Sequence, residues 1–202
     1  MEHRGRALAK LRAIYRFVRY LLGMTAGRLI RNLALIGFMG TGKSSVGRLA
    51  ADALGFTFLD TDRVIEARAG MPITEIFAQQ GEPAFRDWER RIVAELEQRE
   101  NTVIATGGGL PAIEGNLASL KRHAIVICLW ATPEIILERV AAHTHRPLLN
   151  DPDPLAKIRK LLAAREPFYR EADVLISTDR RSPRDVATHV IHQFHAALPV
   201  QP

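Results

Sequence analysis

Short apolar runs alternate with helix-like segments from residue 33 to the end of the chain. The apolar runs predict five strands, at 33–36, 56–59, 102–105, 124–129 and 174–176, of which the first is a buried strand. Between them, apolar residues recur at helical spacing and predict helices at 43–54, 62–69, 72–79, 84–98, 112–121 and 183–197, with another opened by Thr132 and Pro133. This alternation predicts an α/β fold, a doubly wound parallel sheet of about five strands flanked by helices.

The fold class indicates where the functional residues should lie. Ligands of such sheets bind at the carboxyl ends of the strands, which here are marked by Gly37, Asp60, Gly107 and the segment after Leu129. The stretch 142–154 is irregular and rich in His, Pro, Asn and Asp. A loop of that length in a compact domain is often functional, so it is interpreted as a lid.

The N-terminal residues differ from the rest, and we divide the chain into an extension, 1–32, and a domain, 33–200. Apolar residues at three- and four-residue steps over 7–22, with arginines on another face, predict a basic amphipathic helix. Such a helix binds either an anionic membrane surface or a partner. The alternatives are a helix packed on the domain, a disordered extension, or a natural start at Met24.

Charge is concentrated in the same extension. The net charge of +6 divides into +7 on residues 1–32 and −1 on the remaining 170. The high isoelectric point is therefore no property of the domain, and nucleic acid is not expected as a partner. The longest apolar run, 124–131, is too short to span a bilayer. The single cysteine, Cys128, excludes an internal disulfide and is predicted to be a buried, inert thiol.

Residues 37–44, GFMGTGKS, match the phosphate-binding pattern G-x-x-x-x-G-K-[ST] between a strand and a helix. Glycines let backbone N–H groups surround a phosphate, and the helix N-terminus adds partial positive charge. Lys43 would reach the β- and γ-phosphates, and the Ser44 hydroxyl would ligate Mg²⁺. The motif predicts a nucleotide site. The chain is too short for a motor and has no N-K-x-D motif, which leaves a kinase as the favoured class.

Three further patterns lie at strand ends or beside them. Asp60 and Asp62 flank one residue and can serve different ligands, although Asp62 could instead be a helix N-cap. Arg86 and Glu89 are helix neighbours, for which a solvated ion pair is the alternative interpretation. The run 107–109 is three consecutive glycines, which let the backbone approach a ligand closely.

Together these motifs resemble the shikimate kinases over about residues 33–197. The residues that carry the resemblance are GFMGTGKS at 37–44, LDTD at 59–62, GEPAFRDWE at 81–89, TGGG at 106–109, RPLL at 146–149 and AREPFYREAD at 164–173. The resemblance implies a P-loop kinase fold with a mobile lid and an acceptor-binding helical segment. It also implies ATP-dependent phosphorylation of the 3-hydroxyl of shikimate, giving shikimate 3-phosphate and ADP in aromatic amino-acid biosynthesis.

The resemblance also implies roles for individual residues. The catalytic residues are Lys43, Asp62 and Arg146, with Asp62 as the base and Arg146, from the lid, stabilising phosphate charge. Shikimate is bound by Asp62, Arg86, Gly108 and Arg165, where the arginines hold the carboxylate. One Mg²⁺ per subunit is bound by Ser44 and Asp60. The nucleotide is bound by Gly40, Thr41, Gly42, Lys43, Ser44, Ser45, Arg139, Arg146 and Arg181, with Arg180 as the alternative to Arg181.

The resemblance further implies a cytoplasmic monomer whose partners are shikimate and ATP. Two other functions remain open at this point. One is a kinase for another small polyol acid such as gluconate, which should differ at Arg86 and Arg165. The other is a kinase-like module without catalytic activity that binds a membrane or a partner through the extension.

Overall fold

The structure is a computed structural model that describes residues 28–141 and 152–198. Most of the predicted extension and lid, with Arg146, lies outside these residues. The strands are β1 (Asn32–Ile36), β2 (Thr57–Asp60), β3 (Thr102–Ala105), β4 (Ala124–Trp130) and β5 (Val174–Ser177). The helices are α1 (Lys43–Leu54), α2 (Thr61–Ala69), α3 (Ile73–Leu96), α4 (Asn116–His123), α5 (Pro133–Ala141), α6 (Pro154–Arg170) and α7 (Pro183–Ala197).

The five strands form one parallel sheet in the order β2-β3-β1-β4-β5. Strand β1 lies in the centre and is buried along its whole length. Alternate residues of β1 contribute to two separate apolar clusters, with Ile36 in one and Leu35 in the other. Helices therefore cover both faces, as expected when the strands are near-continuous apolar runs. The predicted fold class is confirmed.

One pair of helix predictions is confirmed and another prediction needs correction. The segments predicted at 72–79 and 84–98 are the two helical parts of α3, separated by a kink at Gly81, whose backbone is not helical (φ 79°, ψ 172°). Glycine adopts this conformation at low cost, and Pro83 is tolerated because it begins a new helical turn just after the kink. The helix predicted at 112–121 starts only at Asn116, because a 3₁₀ turn precedes it and Gly115 takes a left-handed conformation at its N-cap.

An ion pair between Arg28 and the buried Asp173 lies at the end of the sheet opposite the phosphate loop. Arg28 donates to Asp173 over 2.7 Å, and the Asp173 carboxylate also accepts the backbone N–H of Val126 at 2.8 Å. These contacts join the chain ahead of β1 to β4 and to the residue before β5.

Cys128, inside β4, is buried as predicted, and burial raises the pKa of its thiol to about 12. In the described part of the chain, no helix combines the length and apolar character needed to cross a membrane.

Candidate active site

The phosphate loop, residues 37–44, connects the carboxyl end of β1 to the start of α1. Gly37, Gly40 and Gly42 have φ angles of 134°, 78° and 92°, which side chains of L residues rarely adopt. A Cβ atom at Gly37 would lie 2.2 Å from the carbonyl oxygen of Leu129. The loop therefore requires glycine both for its conformation and for its close approach to β4.

The Lys43 ammonium group lies against the backbone of this loop. It donates to the carbonyl oxygens of Gly37 and Phe38, each at 2.9 Å, and the residue is 9% exposed. The Thr41 hydroxyl donates to the same Phe38 carbonyl at 2.8 Å. The two contacts of Lys43 fix a positive charge within the phosphate loop.

Ser44 and Asp60 form a pair of oxygen donors at the edge of the loop. The Ser44 hydroxyl donates to Asp60 Oδ2 at 2.7 Å, which joins the first turn of α1 to the end of β2. Asp60 Oδ1 accepts the backbone N–H of Asp62 at 3.1 Å and so caps α2. Asp60 is therefore the N-cap, and the alternative that Asp62 is one is wrong. A hydroxyl and a carboxylate in contact are a donor set that fits Mg²⁺.

A cavity of about 620 Å³ joins the phosphate loop to the ends of β2 and β3. Of the predicted site residues, it is lined by Gly40, Thr41, Gly42, Lys43, Ser44, Ser45, Asp60, Asp62, Gly108, Arg139 and Arg181. Arg86 and Arg165 are not among its lining residues and lie beside it, against the glycines after β3. Arg180 is also absent from the described lining, so the geometry favours Arg181 of the two alternatives.

The glycine loop, residues 107–109, lies against Asp62, Arg86 and Arg165, the side chains predicted to bind the phosphoryl acceptor. A Cβ at Gly107 would lie 2.5 Å from Asp62 Oδ1, and one at Gly109 would lie 2.8 Å from Arg86 Nη1. At Gly108 a Cβ would lie 3.5 Å from Arg165 Nη1 and 3.4 Å from the backbone nitrogen of Met39 in the phosphate loop. Each glycine therefore faces a different group, and at these glycines α2, α3, α6 and the phosphate loop meet.

Glu89 is a buried member of the site that the sequence reasoning did not select. Its side chain is 0% exposed, and Arg86 Nη1 donates to its Oε2 at 2.7 Å. Burial raises the pKa of this carboxyl, while the positive charges of Arg86 and Arg165 oppose that shift. The alternative of a solvated ion pair is wrong. Its position three residues after Arg86 was the available signal.

Tyr169 is a second residue that the sequence reasoning missed. It follows Arg165 by one turn of α6, and its hydroxyl donates to the carbonyl oxygen of Gly108 at 2.7 Å. The Arg165 guanidinium itself lies over the ring of Phe38, 5.4 Å from the centroid. The i, i+4 spacing within AREPFYREAD could have indicated that these two side chains share a helix face.

The two arginines predicted at the nucleotide base, Arg139 and Arg181, both line the cavity. Arg139 donates from Nη1 to the carbonyl of Gly40 at 3.2 Å and from Nη2 to the carbonyl of Thr178 at 2.7 Å. It thereby ties the phosphate loop to the segment after β5. Arg181 Nη1 is 3.3 Å from His189 Nδ1 on α7. Proximity to Arg181 lowers the pKa of His189, in addition to the larger effect of burial.

Comparisons with known proteins show the family to which the chain belongs. The sequence model described as shikimate kinase matches residues 39–195. The shikimate kinase of Thermodesulfovibrio yellowstonii is 44% identical over 165 residues, 82% of this chain and 95% of the relative. The chain belongs to the shikimate kinase family. A solved structure of the Acinetobacter baumannii shikimate kinase, in complex with shikimate, is 39% identical with a TM-score of 0.77, and the match covers 84% of this chain and 95% of that one.

The likeness to gluconate kinases is of a different kind. A gluconokinase from Sinorhizobium meliloti is 18% identical with a TM-score of 0.52, and the match covers 84% of this chain and 93% of that one. At that identity the likeness shows the fold alone. It therefore gives no support to the alternative of a gluconate kinase.

Proposed function

We propose that this chain transfers the γ-phosphoryl group of ATP to the 3-hydroxyl of shikimate, giving shikimate 3-phosphate and ADP. Membership of the shikimate kinase family supports this activity. The observation that carries it in the structure is the glycine loop, where Asp62, Arg86 and Arg165 meet within reach of the phosphate loop. A carboxylated polyol needs such a combination of guanidinium groups and a carboxylate.

The carboxylate clamp consists of Arg86, Arg165 and the backbone N–H of Gly108. Two guanidinium groups supply planar, charged donors that match a carboxylate better than lysine ammonium groups would. Asp62, on the neighbouring face of the glycine loop, accepts the substrate hydroxyls and takes the proton of the attacking 3-hydroxyl. Glu89 holds Arg86 from the buried side, so the arginine is oriented before substrate binds.

The nucleotide occupies the cavity over the phosphate loop. Lys43 and the loop N–H groups bind its phosphates, Arg139 and Arg181 flank the base, and Arg146 from the lid contributes charge at the phosphates. Ser44 and Asp60 hold one Mg²⁺, with Asp60 acting through the water shell of the ion. When bound, the ion neutralises charge on the phosphates. The protein residues provide position and charge, which are the main requirements of phosphoryl transfer.

A coupled assay of ADP formation tests the function directly. The full chain with Mg·ATP should form ADP rapidly when shikimate is added, and only slowly with water or gluconate as the acceptor. Mass spectrometry of the product should show shikimate carrying one phosphoryl group. Turnover of gluconate but not of shikimate would reject the acceptor assignment, and no turnover with either would favour the non-catalytic module.

The carboxylate clamp gives a first specific prediction. Replacing Arg165 by alanine (Arg165→Ala) leaves the substrate carboxylate desolvated and underpaired, which should cost about 2–5 kcal/mol of binding, at least about 30-fold in Kd. Titration of shikimate by calorimetry measures this loss. The exposed Arg159→Ala on the same helix is the matched control and should bind normally.

A shikimate ester should not be phosphorylated by the unchanged protein, and efficient turnover of the ester would contradict the clamp.

The oxygen pair gives a second prediction. Asp60→Asn should raise the Mg²⁺ concentration needed for half-maximal activity by about 10- to 100-fold, because it weakens the ordering of the water shell of the ion. Shikimate binding measured without nucleotide should change little. Asp52→Asn, at an exposed position of α1, is the control. An unchanged Mg²⁺ requirement in the Asp60 variant would remove this residue from the proposed metal site.

We also propose that the enzyme is a monomer in the cytoplasm and that residues 1–32 are an extension of the kinase domain. Size-exclusion chromatography with light scattering measures the molecular mass in solution. Mass determination of the natural protein identifies its first residue and tests the alternative start at Met24.

A further inference from the structure

The carbonyl group of Gly108 is held by a side chain from a distant part of the chain. The Tyr169 hydroxyl donates to it at 2.7 Å across a separation of 61 residues. Tyr169 is 1% exposed and belongs to one of the two apolar clusters, so its ring is fixed by the packing around it. The hydroxyl is thus delivered to the glycine loop from the interior of the domain rather than from solvent.

The glycine loop needs such contacts because glycine imposes few limits on φ and ψ. Its two outer residues are held by neighbouring backbone groups: the carbonyl of Gly107 accepts from Leu110 N–H at 3.2 Å, and that of Gly109 from Ala112 N–H at 3.1 Å. The N–H of Gly107 donates to the Thr61 hydroxyl at 2.9 Å. The middle residue, Gly108, is the one whose carbonyl is bound by a side chain of α6.

The same turn of α6 carries Arg165. A Cβ atom at Gly108 would lie 3.5 Å from Arg165 Nη1, so guanidinium and glycine are in close proximity. Burial raises the pKa of Tyr169, and it outweighs the opposite effect of the Arg165 charge and hydrogen bond. The hydroxyl therefore stays protonated at neutral pH and remains a donor to the Gly108 carbonyl.

We propose that Tyr169 is a positioning residue of the carboxylate clamp. Its hydroxyl holds the carbonyl of Gly108, and with it the position of the Gly108 Cα, relative to Arg165. The Gly108 N–H belongs to the preceding peptide group, whose carbonyl, that of Gly107, accepts from Leu110 N–H. The two hydrogen bonds together place this N–H so that it and the guanidinium meet the same carboxylate. Arg165 and Tyr169, one turn apart on α6, thus position two donors of the clamp, the guanidinium and the Gly108 N–H. The inference rests on the proposed function, since it assumes that the carboxylate of shikimate binds between Arg165 and Gly108.

Tyr169→Phe tests the proposal because it removes the hydroxyl and keeps the ring in the core. We expect the KM and Kd for shikimate to rise about tenfold, the effect of one buried hydrogen bond. The kcat and the KM for ATP should stay within about twofold, because the lost contact acts on ground-state binding of the carboxylate. A purely structural role would instead lower activity towards both substrates together.

Two further measurements separate positioning from general destabilisation. In an Arg165→Ala background, Tyr169→Phe should weaken shikimate binding by less than about twofold, because the guanidinium relative to which it places Gly108 is gone. Val190→Ala, in the apolar cluster on the other face of the sheet, should lower the melting temperature without changing the KM for shikimate.

The Tyr169 experiments can fail separately from the assay that tests the proposed function. If the unchanged protein phosphorylates shikimate and Tyr169→Phe binds it normally, the positioning role is overturned while the function stands. Equal effects of Tyr169→Phe in the two backgrounds would also overturn the role. If the unchanged protein does not phosphorylate shikimate, the proposed function is what fails.

Discussion

Lys43→Ala should abolish phosphoryl transfer while leaving shikimate binding nearly intact. The Lys43 ammonium is anchored by the carbonyls of Gly37 and Phe38, so its charge is already in place when the phosphates arrive. Such a preorganised charge acts mainly where charge develops in the transition state, and its loss should lower kcat by at least about 10³-fold. The shikimate clamp is built on α3, α6 and the glycine loop, and it does not include Lys43.

Two measurements separate a loss of catalysis in Lys43→Ala from a loss of shikimate binding. Steady-state kinetics give kcat, and calorimetric titration of shikimate without nucleotide gives the Kd. Lys160→Ala, which removes an exposed lysine from α6, is the control and should keep both values. A Lys43 variant that loses shikimate affinity in parallel with kcat would indicate a collapsed phosphate loop instead of a missing charge, and a melting curve would identify that case.

The fold could be predicted from the sequence because its signals are local. The central strands β1, β3 and β4 are buried apolar runs, and most helices between the strands have helical spacing, so the parallel sheet follows from the pattern. The edge strands β2 and β5 are only partly buried, and helix α6 was not predicted. The break predicted between the helices at 72–79 and 84–98 is confirmed at Gly81, whose backbone is not helical. The error occurs where local signals are ambiguous: the helix predicted at 112–121 begins only at Asn116, after a 3₁₀ turn.

Much of the candidate site could also be predicted from the sequence, because its residues lie in short motifs at strand ends. The remainder depends on contacts between distant segments, which periodicity does not reveal. Glu89 looked like half of a surface ion pair, and only the packing of α3 against the glycine loop buries it. Tyr169 was not selected, because the hydroxyl at the tip of this buried side chain reaches Gly108 only in the folded chain.

Asp62→Asn should weaken shikimate binding as well as turnover, which distinguishes it from Lys43→Ala. Asp62 lies against Gly107, and its Oδ1 is 2.5 Å from the position of a Cβ there, so its carboxylate is aimed at the acceptor side of the cavity. A carboxylate accepts hydrogen bonds from two hydroxyls, and an amide of the same shape offers one oxygen. We expect Kd to rise by about 10-fold or more, and kcat to fall by about 10²–10⁴-fold through loss of the base.

The fall in kcat at saturating shikimate separates the two proposed roles of Asp62, which are binding the substrate hydroxyls and accepting the proton. If the residue only bound hydroxyl groups, saturating shikimate would restore most of kcat in Asp62→Asn; if it also takes the proton, kcat stays low at saturation. Asp87→Asn makes the same chemical change at an exposed position of α3 and should leave both constants unchanged. Normal kinetics in Asp62→Asn would rule out both roles, and the proton would then have to leave through another group at the glycine loop, of which the buried Glu89 is the nearest carboxyl described.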